Sequence, residues 1–248
     1  MNKNRLWLLA HQDDEVLGLH LNFQPMNNFV VYLTDGVRIG AKYDSSLRVE
    51  EARNAWSKID GNAELIFFGT EHSIKDGDLL AQLSESHLAE LLSTCRSRKV
   101  SEIVTLQLEG GHQDHDVTSL FAEELARRLS LEVILFPAYR ALHSKNSSYA
   151  VMSSRVKSLD TIPRKAVVRL HDTKKAFAVM RIYRSQLLTW VGLGPFVLLK
   201  YLFGKPAFLK QASTKSSAQE FPSKLLYANR KKSEALNYAE IRQKMSIW

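Results

Sequence analysis

Residues 6–18 read LWLLAHQDDEVLG. The apolar run Leu6-Trp7-Leu8-Leu9-Ala10 has the length of a buried strand. It stops at His11, and Asp13, Asp14 and Glu15 follow before Val16-Leu17-Gly18 resumes apolar character, as a helix entering a core would. Three crowded carboxylates repel one another unless something positive sits among them. A divalent metal answers that need, because neutral imidazole and carboxylate oxygens together suit zinc or a similar first-row ion. The same acids could instead cap a helix and favour its N-terminal dipole. This stretch alone leaves both readings open.

A second stretch a hundred residues on shifts the balance. Gly110-Gly111-His112-Gln113-Asp114-His115-Asp116 follows the apolar run Ile103-Val104-Thr105-Leu106, and again packs imidazoles beside carboxylates. Two such clusters, each at a strand end, are much stronger evidence for a metal than one.

Working outward, strands are predicted at Leu6–Ala10, Phe29–Leu33, Glu64–Phe68, Glu102–Leu106 and Val133–Phe136. Helical patterns cover Ser45–Lys58, with Ser45 or Ser46 as cap, then Leu79–Cys95, Val117–Leu129 and Lys174–Gln186. This alternation predicts an α/β fold: a parallel sheet covered by helices on both faces. With the order 3-2-1-4-5, strands one and four are neighbours at the switch point, and both clusters emerge at one edge, where open sheets bind ligands. The usual dinucleotide is excluded there. Where a glycine-rich phosphate loop would stand, the chain has His-Gln-Asp-Asp-Glu, whose carboxylates would repel phosphate.

The 248 residues suffice for one α/β domain with a sizeable core. The single cysteine, Cys95, excludes an intramolecular disulfide and a multi-cysteine zinc site, and is expected to be a buried small side chain. Met1–Arg5 is polar and the apolar run behind it is short, so no signal peptide is expected and the predicted location is cytoplasmic. The net charge of +8, concentrated from Arg140 onward, points to an anionic partner or surface. Nucleic acid is not expected, because aromatic-interleaved basic motifs, recognition-helix patterns and zinc-finger spacing are missing.

His11-Gln12-Asp13-Asp14-Glu15 resembles the A-H-P-D-D-E signature of the PIG-L/LmbE family of zinc-dependent N-deacetylases, and Gly111-His112-Gln113-Asp114-His115 resembles its H-P-D-H signature. Weaker likenesses are Arg48-x-x-Glu51-x-x-x-Ala55, Asp76-Gly77-x-Leu79, and Lys175-Ala176 leading to Tyr183-Arg184-Ser185-Gln186. The resemblance implies a Rossmann-like three-layer sandwich and removal of acetyl from an amino sugar or related amine, with cell-surface polysaccharide or glycolipid synthesis as the setting; a catalytically silent relative that binds a metal or a sugar, or a peripheral membrane-binding protein, is the alternative. It makes His11, Asp14 and His115 the ligands of Zn2+ or another divalent first-row metal, and Asp13 the general base. His112 becomes the group that stabilises the oxyanion and protonates the amine, oriented by Asp114. Glu15 is expected to support the site rather than ligate. Arg48, Asp76, Tyr139, Arg140 and His143 are candidate substrate contacts. Gln12 and Gln113 replace both family prolines, which loosens the loops and offers a hydrogen bond at the pocket rim.

The resemblance fades after Gln186, dividing the chain into a deacetylase domain at 1–186 and a basic, partly helical extension at 187–248 packed on or beside it. Leu187–Leu209 reads LLTWVGLGPFVLLKYLFGKPAFL, with aromatics interleaved among lysines. A core or dimer-interface segment is one reading, so an oligomer is possible. A membrane-surface element, docking the enzyme at the inner face of an anionic bilayer through 187–210, is another. A membrane span is the third, and Pro195, Lys200, Lys205 and Pro206 interrupt it.

Overall fold

Successive side chains of the first strand, β1 (Asn4–Leu9), divide between two cores. Trp7 and Leu9 join one, and Leu6 and Leu8 the other, which is the two-residue period of a strand buried on both faces. The division repeats in β2 (Asn27–Tyr32), where Val30 and Tyr32 oppose Val31. After the short β3 (Glu64–Ile66) it recurs in β4 (Val100–Leu106), with Val104 and Leu106 opposing Ile103, and in β5 (Glu132–Phe136), with Ile134 and Phe136 opposing Val133 and Leu135. This computed structural model describes residues 3–21, 26–38, 40–141, 149–153, 164–165, 168, 170–204, 206–211 and 243.

The five strands are parallel and run in the predicted order 3-2-1-4-5. A separate antiparallel pair, β6 (Tyr139–Ala141) and β7 (Tyr149–Val151), follows β5. Then β8 (Arg164–Lys165) and β9 (Ala207–Gln211) extend the main sheet, with β9 antiparallel to both β5 and β8. The segment set apart at 187 therefore supplies a strand to the central sheet.

The helices are α1 (Glu15–Gly18), α2 (Ser45–Ile59), α3 (Phe68–Glu71), α4 (Leu79–Gln82), α5 (Glu85–Ser97), α6 (Gln113–Leu129), α7 (Leu170–Met180) and α8 (Leu187–Leu199). Trp56 of α2, Val179 of α7 and Val197 of α8 cover the Trp7 face. Leu79 of α4, Leu91 of α5 and Phe121 of α6 cover the Leu6 face, with Cys95 buried among them. Three layers result, a helix layer on each side of the sheet.

Several boundaries differ from the sequence reading. Strand three ends at Ile66, because Phe68–Glu71 turns helical. The Leu79–Cys95 pattern is two helices, broken where Leu83 and Ser84 are extended (ψ 144° and 168°). Asp44, rather than Ser45 or Ser46, caps α2, accepting the Ser46 and Leu47 N–H groups. The Lys174–Gln186 pattern is α7, begun earlier at Leu170, followed by a turn and a 3-10 helix at Arg184–Gln186. Most consequential is α6. It starts at Gln113, not Val117, so His112 is its N-cap and His115 lies in its first turn.

Candidate metal centre and active site

Because β1 and β4 are parallel neighbours, the loops after Leu9 and Leu106 leave the same edge of the sheet. The first carries His11, Asp13 and Asp14, and the second delivers the N-terminus of α6 with His112, Asp114 and His115. The imidazoles meet despite a separation of 104 positions in the chain: His11 Nδ1 lies 3.3 Å from His115 Nε2. Asp14 turns one oxygen to each ring, Oδ1 at 3.1 Å from His115 Nε2 and Oδ2 at 3.7 Å from His11 Nδ1. The opposite side of the His11 ring faces acids, with Nε2 at 3.2 Å from Asp114 Oδ2 and 3.3 Å from Asp76 Oδ1. These acids take the Nε2–H, so that a metal displacing the second proton would meet the Nδ1 lone pair, which is aimed at His115 and Asp14. Burial alone would lower the His11 pKa, but Asp76, Asp114 and Asp14 raise it well above the ordinary histidine value. Burial would raise Asp14, yet the two imidazoles hold it far below the usual carboxylate range.

Asp114 does not use its carboxylate on His112. Its backbone N–H donates to His112 Nδ1 at 3.3 Å, while Oδ2 accepts the Gly77 N–H at 2.6 Å and faces His11. Gly77 has φ +95°, a conformation that favours glycine, and it delivers that N–H into the site. With its Nδ1 accepting a proton, neutral His112 carries its hydrogen on Nε2, which lies 3.9 Å from Asp76 Oδ1. Burial, and then the charge of His11, push the His112 pKa down to about 3.

Asp13 is held from two sides. Arg48 Nη2 pairs with its Oδ1 at 3.1 Å and also donates to the Gln12 carbonyl, while Nη1 donates to Ser185 Oγ at 3.1 Å. Glu51 completes the clasp by accepting the Ser185 N–H at 2.8 Å. On the other side the Asp13 N–H donates to Glu15 Oε2 at 3.2 Å. Glu15 is buried, accepts hydroxyl hydrogens from Tyr183 and Tyr32, and is pushed up to about 7, chiefly by burial. Asp13 has φ 128°, a strained backbone for a residue with a side chain, and such strain gathers at functional sites. Burial raises its carboxyl pKa although Arg48 pulls the other way. Gln12 is not at the rim: its buried amide donates to the Thr34 carbonyl at 3.2 Å.

Of the candidate substrate contacts, Arg48, Asp76 and Tyr139 line the crevice with His11, Asp14 and His115, the candidate metal ligands. Arg140 does not, and its Nε donates to the Ser153 carbonyl at 3.4 Å. Alternate strand residues point oppositely, so β6 turns Tyr139 inward and Arg140 away. His143 lies outside the described residues. The sequence reading missed Arg38, which pairs with Asp76 at 3.2 Å, and the crevice wall formed by Gln186, Thr189, Trp190 and Leu193. The spacing of Gln186, Trp190 and Leu193 on one helix face was the available signal for that wall. Gly111 lets the second loop approach β6, since a Cβ there would lie 2.0 Å from the Tyr139 carbonyl oxygen.

Residues 6–126 match the family described as PIG-L, GlcNAc-PI de-N-acetylase. No protein of curated function matches the sequence. Among solved structures, a deacetylase of the teicoplanin biosynthesis pathway aligns with TM-score 0.60 at 18% identity, over 86% of this chain and 100% of that one. The N,N'-diacetylchitobiose deacetylase from Pyrococcus horikoshii aligns with TM-score 0.59 at 16% identity, over 85% of this chain and 84% of its own. The conserved protein TT1542 from Thermus thermophilus aligns with TM-score 0.54 at 18% identity, over 90% and 100%. At these identities the likeness establishes the fold.

Proposed function

Residues 6–126 of this chain belong to the PIG-L family, and on that premise we propose that the protein is a divalent-metal-dependent N-deacetylase of an amino sugar or glycoconjugate. The observation that carries this reading is the meeting of His11, Asp14 and His115. Donors about 2.0 to 2.1 Å from a tetrahedral zinc lie about 3.3 Å from one another. His11 Nδ1 and His115 Nε2, 3.3 Å apart, fit that spacing, and Asp14 presents Oδ1 3.1 Å from His115 Nε2 and Oδ2 3.7 Å from His11 Nδ1, so that either oxygen can complete the set. Three ligands with one position left for substrate or water is the catalytic form of such a site. Zinc suits the set, as do neighbouring first-row ions. An ion held there would polarise the acetamide carbonyl and acidify the attacking water.

Asp13, fixed beside the cluster by Arg48, takes the proton of the water as its oxygen adds to the acyl carbon. His112 donates Nε2–H to the carbonyl oxygen as charge builds there. The resemblance gives delivery of the amine proton to His112. Its buried neutral form, with the single hydrogen on Nε2, supports the donor role instead, and Asp13 then passes the water's proton to the amine as the C–N bond breaks. Asp76 and Arg38 offer an acceptor and a cation to the sugar hydroxyls. Synthesis of a cell-surface polysaccharide or glycolipid is the setting we infer.

The test is acetate release from N-acetylglucosamine derivatives by protein of measured metal content. Chelation should abolish release and Zn2+ should restore it. Metal-loaded protein that frees no acetate from any such derivative would overturn the reading.

A further inference from the structure

Helix α8 has two stripes of opposite character. Gln186, Trp190, Val197 and Tyr201 recur on the inner side and are buried, and Tyr201 Oη donates to the Val16 carbonyl at 2.8 Å. Leu188, Val191, Phe196 and Leu199 recur on the outer side, continued by Leu202 and Phe203, and all are exposed, Leu188 at 90% and Phe203 at 80%. The stretch Arg184–Gly204 is long and apolar enough to cross a membrane, but its inner stripe belongs to the core of the sheet domain. It lies along the molecule and cannot also span a bilayer.

A contiguous apolar surface of this kind marks a contact site. Charge selects the partner. Residues 170–211 hold seven Lys and Arg and a single acid, Asp172, which is buried. Exposed Lys174, Arg181 and Arg184 lie on and just beyond α7, which packs against α8. Two copies meeting through this face would bring like charges together. Residues 212–248 add seven Lys and Arg against three Glu in the sequence, so they share the positive sign. An anionic surface with an apolar interior complements both the cations and the leucines.

We propose that the outer face of α8 seats this protein on an anionic lipid bilayer as an interfacial helix. Thr189, Trp190 and Leu193 of the same helix wall the crevice, so a bilayer on the outer face lies one helix thickness from the site. A second groove of about 340 Å3 lies between Phe196, Leu199 and Phe203 on one side and Ala150 and Val151 of β7 on the other. Its apolar walls and its Lys200 suit a lipid chain below an anionic headgroup.

The test is co-sedimentation of the full chain with phosphatidylcholine vesicles, with and without phosphatidylglycerol, at physiological ionic strength. Binding should require phosphatidylglycerol. Leu188→Glu/Val191→Glu, which replaces inserted apolar side chains with anions, and Lys174→Glu/Arg181→Glu, which reverses two cations, should each weaken it by about tenfold or more. All four positions are exposed, so both variants should keep the wild-type circular dichroism, and the charge variant serves as a second probe if the first is perturbed. Absence of binding, or binding indifferent to both variants, overturns the proposal. So does a dimer in light scattering that Leu188→Glu/Val191→Glu dissolves while vesicle binding persists. Hydrolysis of a water-soluble N-acetylglucosamine derivative without vesicles is measured alongside. It tests the deacetylase reading alone, and both variants should retain it.

Discussion

Asp13 and Asp14 are adjacent yet occupy opposite environments. Asp14 faces two imidazoles, whereas Asp13 faces a guanidinium from a strained backbone. We therefore expect His11→Ala, Asp14→Ala and His115→Ala to empty the metal site. Asp13→Asn should keep the metal and lose roughly 100- to 10,000-fold in turnover. Metal analysis of the purified variants separates the two groups, and an empty Asp13→Asn with a full Asp14→Ala would reverse the assignment. His112 gives a second contrast. Gln can retain an N–H donor but cannot carry the imidazole's proton, so His112→Gln should keep more activity than His112→Ala. Ala should cost about 100- to 1,000-fold, as removal of an oxyanion donor does. Equal losses in both would return proton delivery to His112. Glu109 yields a stability prediction. It is buried, accepts the Ala138 N–H at 2.7 Å, and is pushed up to about 8, mainly by burial. In the unfolded chain it titrates near about 4.3. Between these values the folded state holds a proton that the unfolded state has lost, so stability declines as pH rises through that window. The slope is at most about 1.4 kcal/mol per pH unit for one proton. Glu109→Gln should remove that decline in denaturant titrations run across the window; an unchanged slope would show Glu109 ionised in the fold.

The N-terminus of α6 organises the second half of the site. Its second acid, Asp116, accepts the Glu109 N–H at 2.9 Å and the Gly110 N–H at 3.1 Å, folding the preceding loop back over the helix start. Asp116→Ala would strand two buried donors, and each stranded donor costs about 1 to 3 kcal/mol. We expect urea unfolding to show a loss of roughly 2 kcal/mol or more, with weakened metal binding because His112 and His115 lose their anchor. A loss within a few tenths of a kcal/mol would mean that water replaces the carboxylate. At this scale the sequence was legible where one period dominated. Five strands, the helix α2 and the body of α6 from Val117 follow from apolar spacing, and the strand order is the one common to such βα alternation. It was illegible where tertiary contacts decide, as at Leu83–Ser84, where two helices share one continuous leucine pattern. The loop reading of His112–Asp116 failed because polar ligands mask the helix they sit on. The outer-facing Arg140 was misplaced because a strand of three residues has too short a period to read.

Across the whole molecule, both half-sites were visible as sequence, but the wall that closes the crevice was not. That wall comes from α8, beyond the matched family segment, and only the packing of Trp190 and Tyr201 against the Trp7 core places it there. β9 likewise covers the edge of β5. A chain ended at Gln186 would expose that edge and uncover Phe136 and Val179, so we expect it to be insoluble or aggregated on expression. Recovery of a monomeric, cooperatively unfolding 1–186 fragment would show the division at that point to be autonomous. The separation of the half-sites also sets an order in time. His11 and its partner His115 stand 104 residues apart and meet only when β4 has docked beside β1. On the ribosome, at about 5–20 residues per second, the first half-site therefore waits on the order of 5 to 20 s for its complement. On the proposed reading, metal capture by this nascent chain would be a late event that reports closure of the sheet's centre.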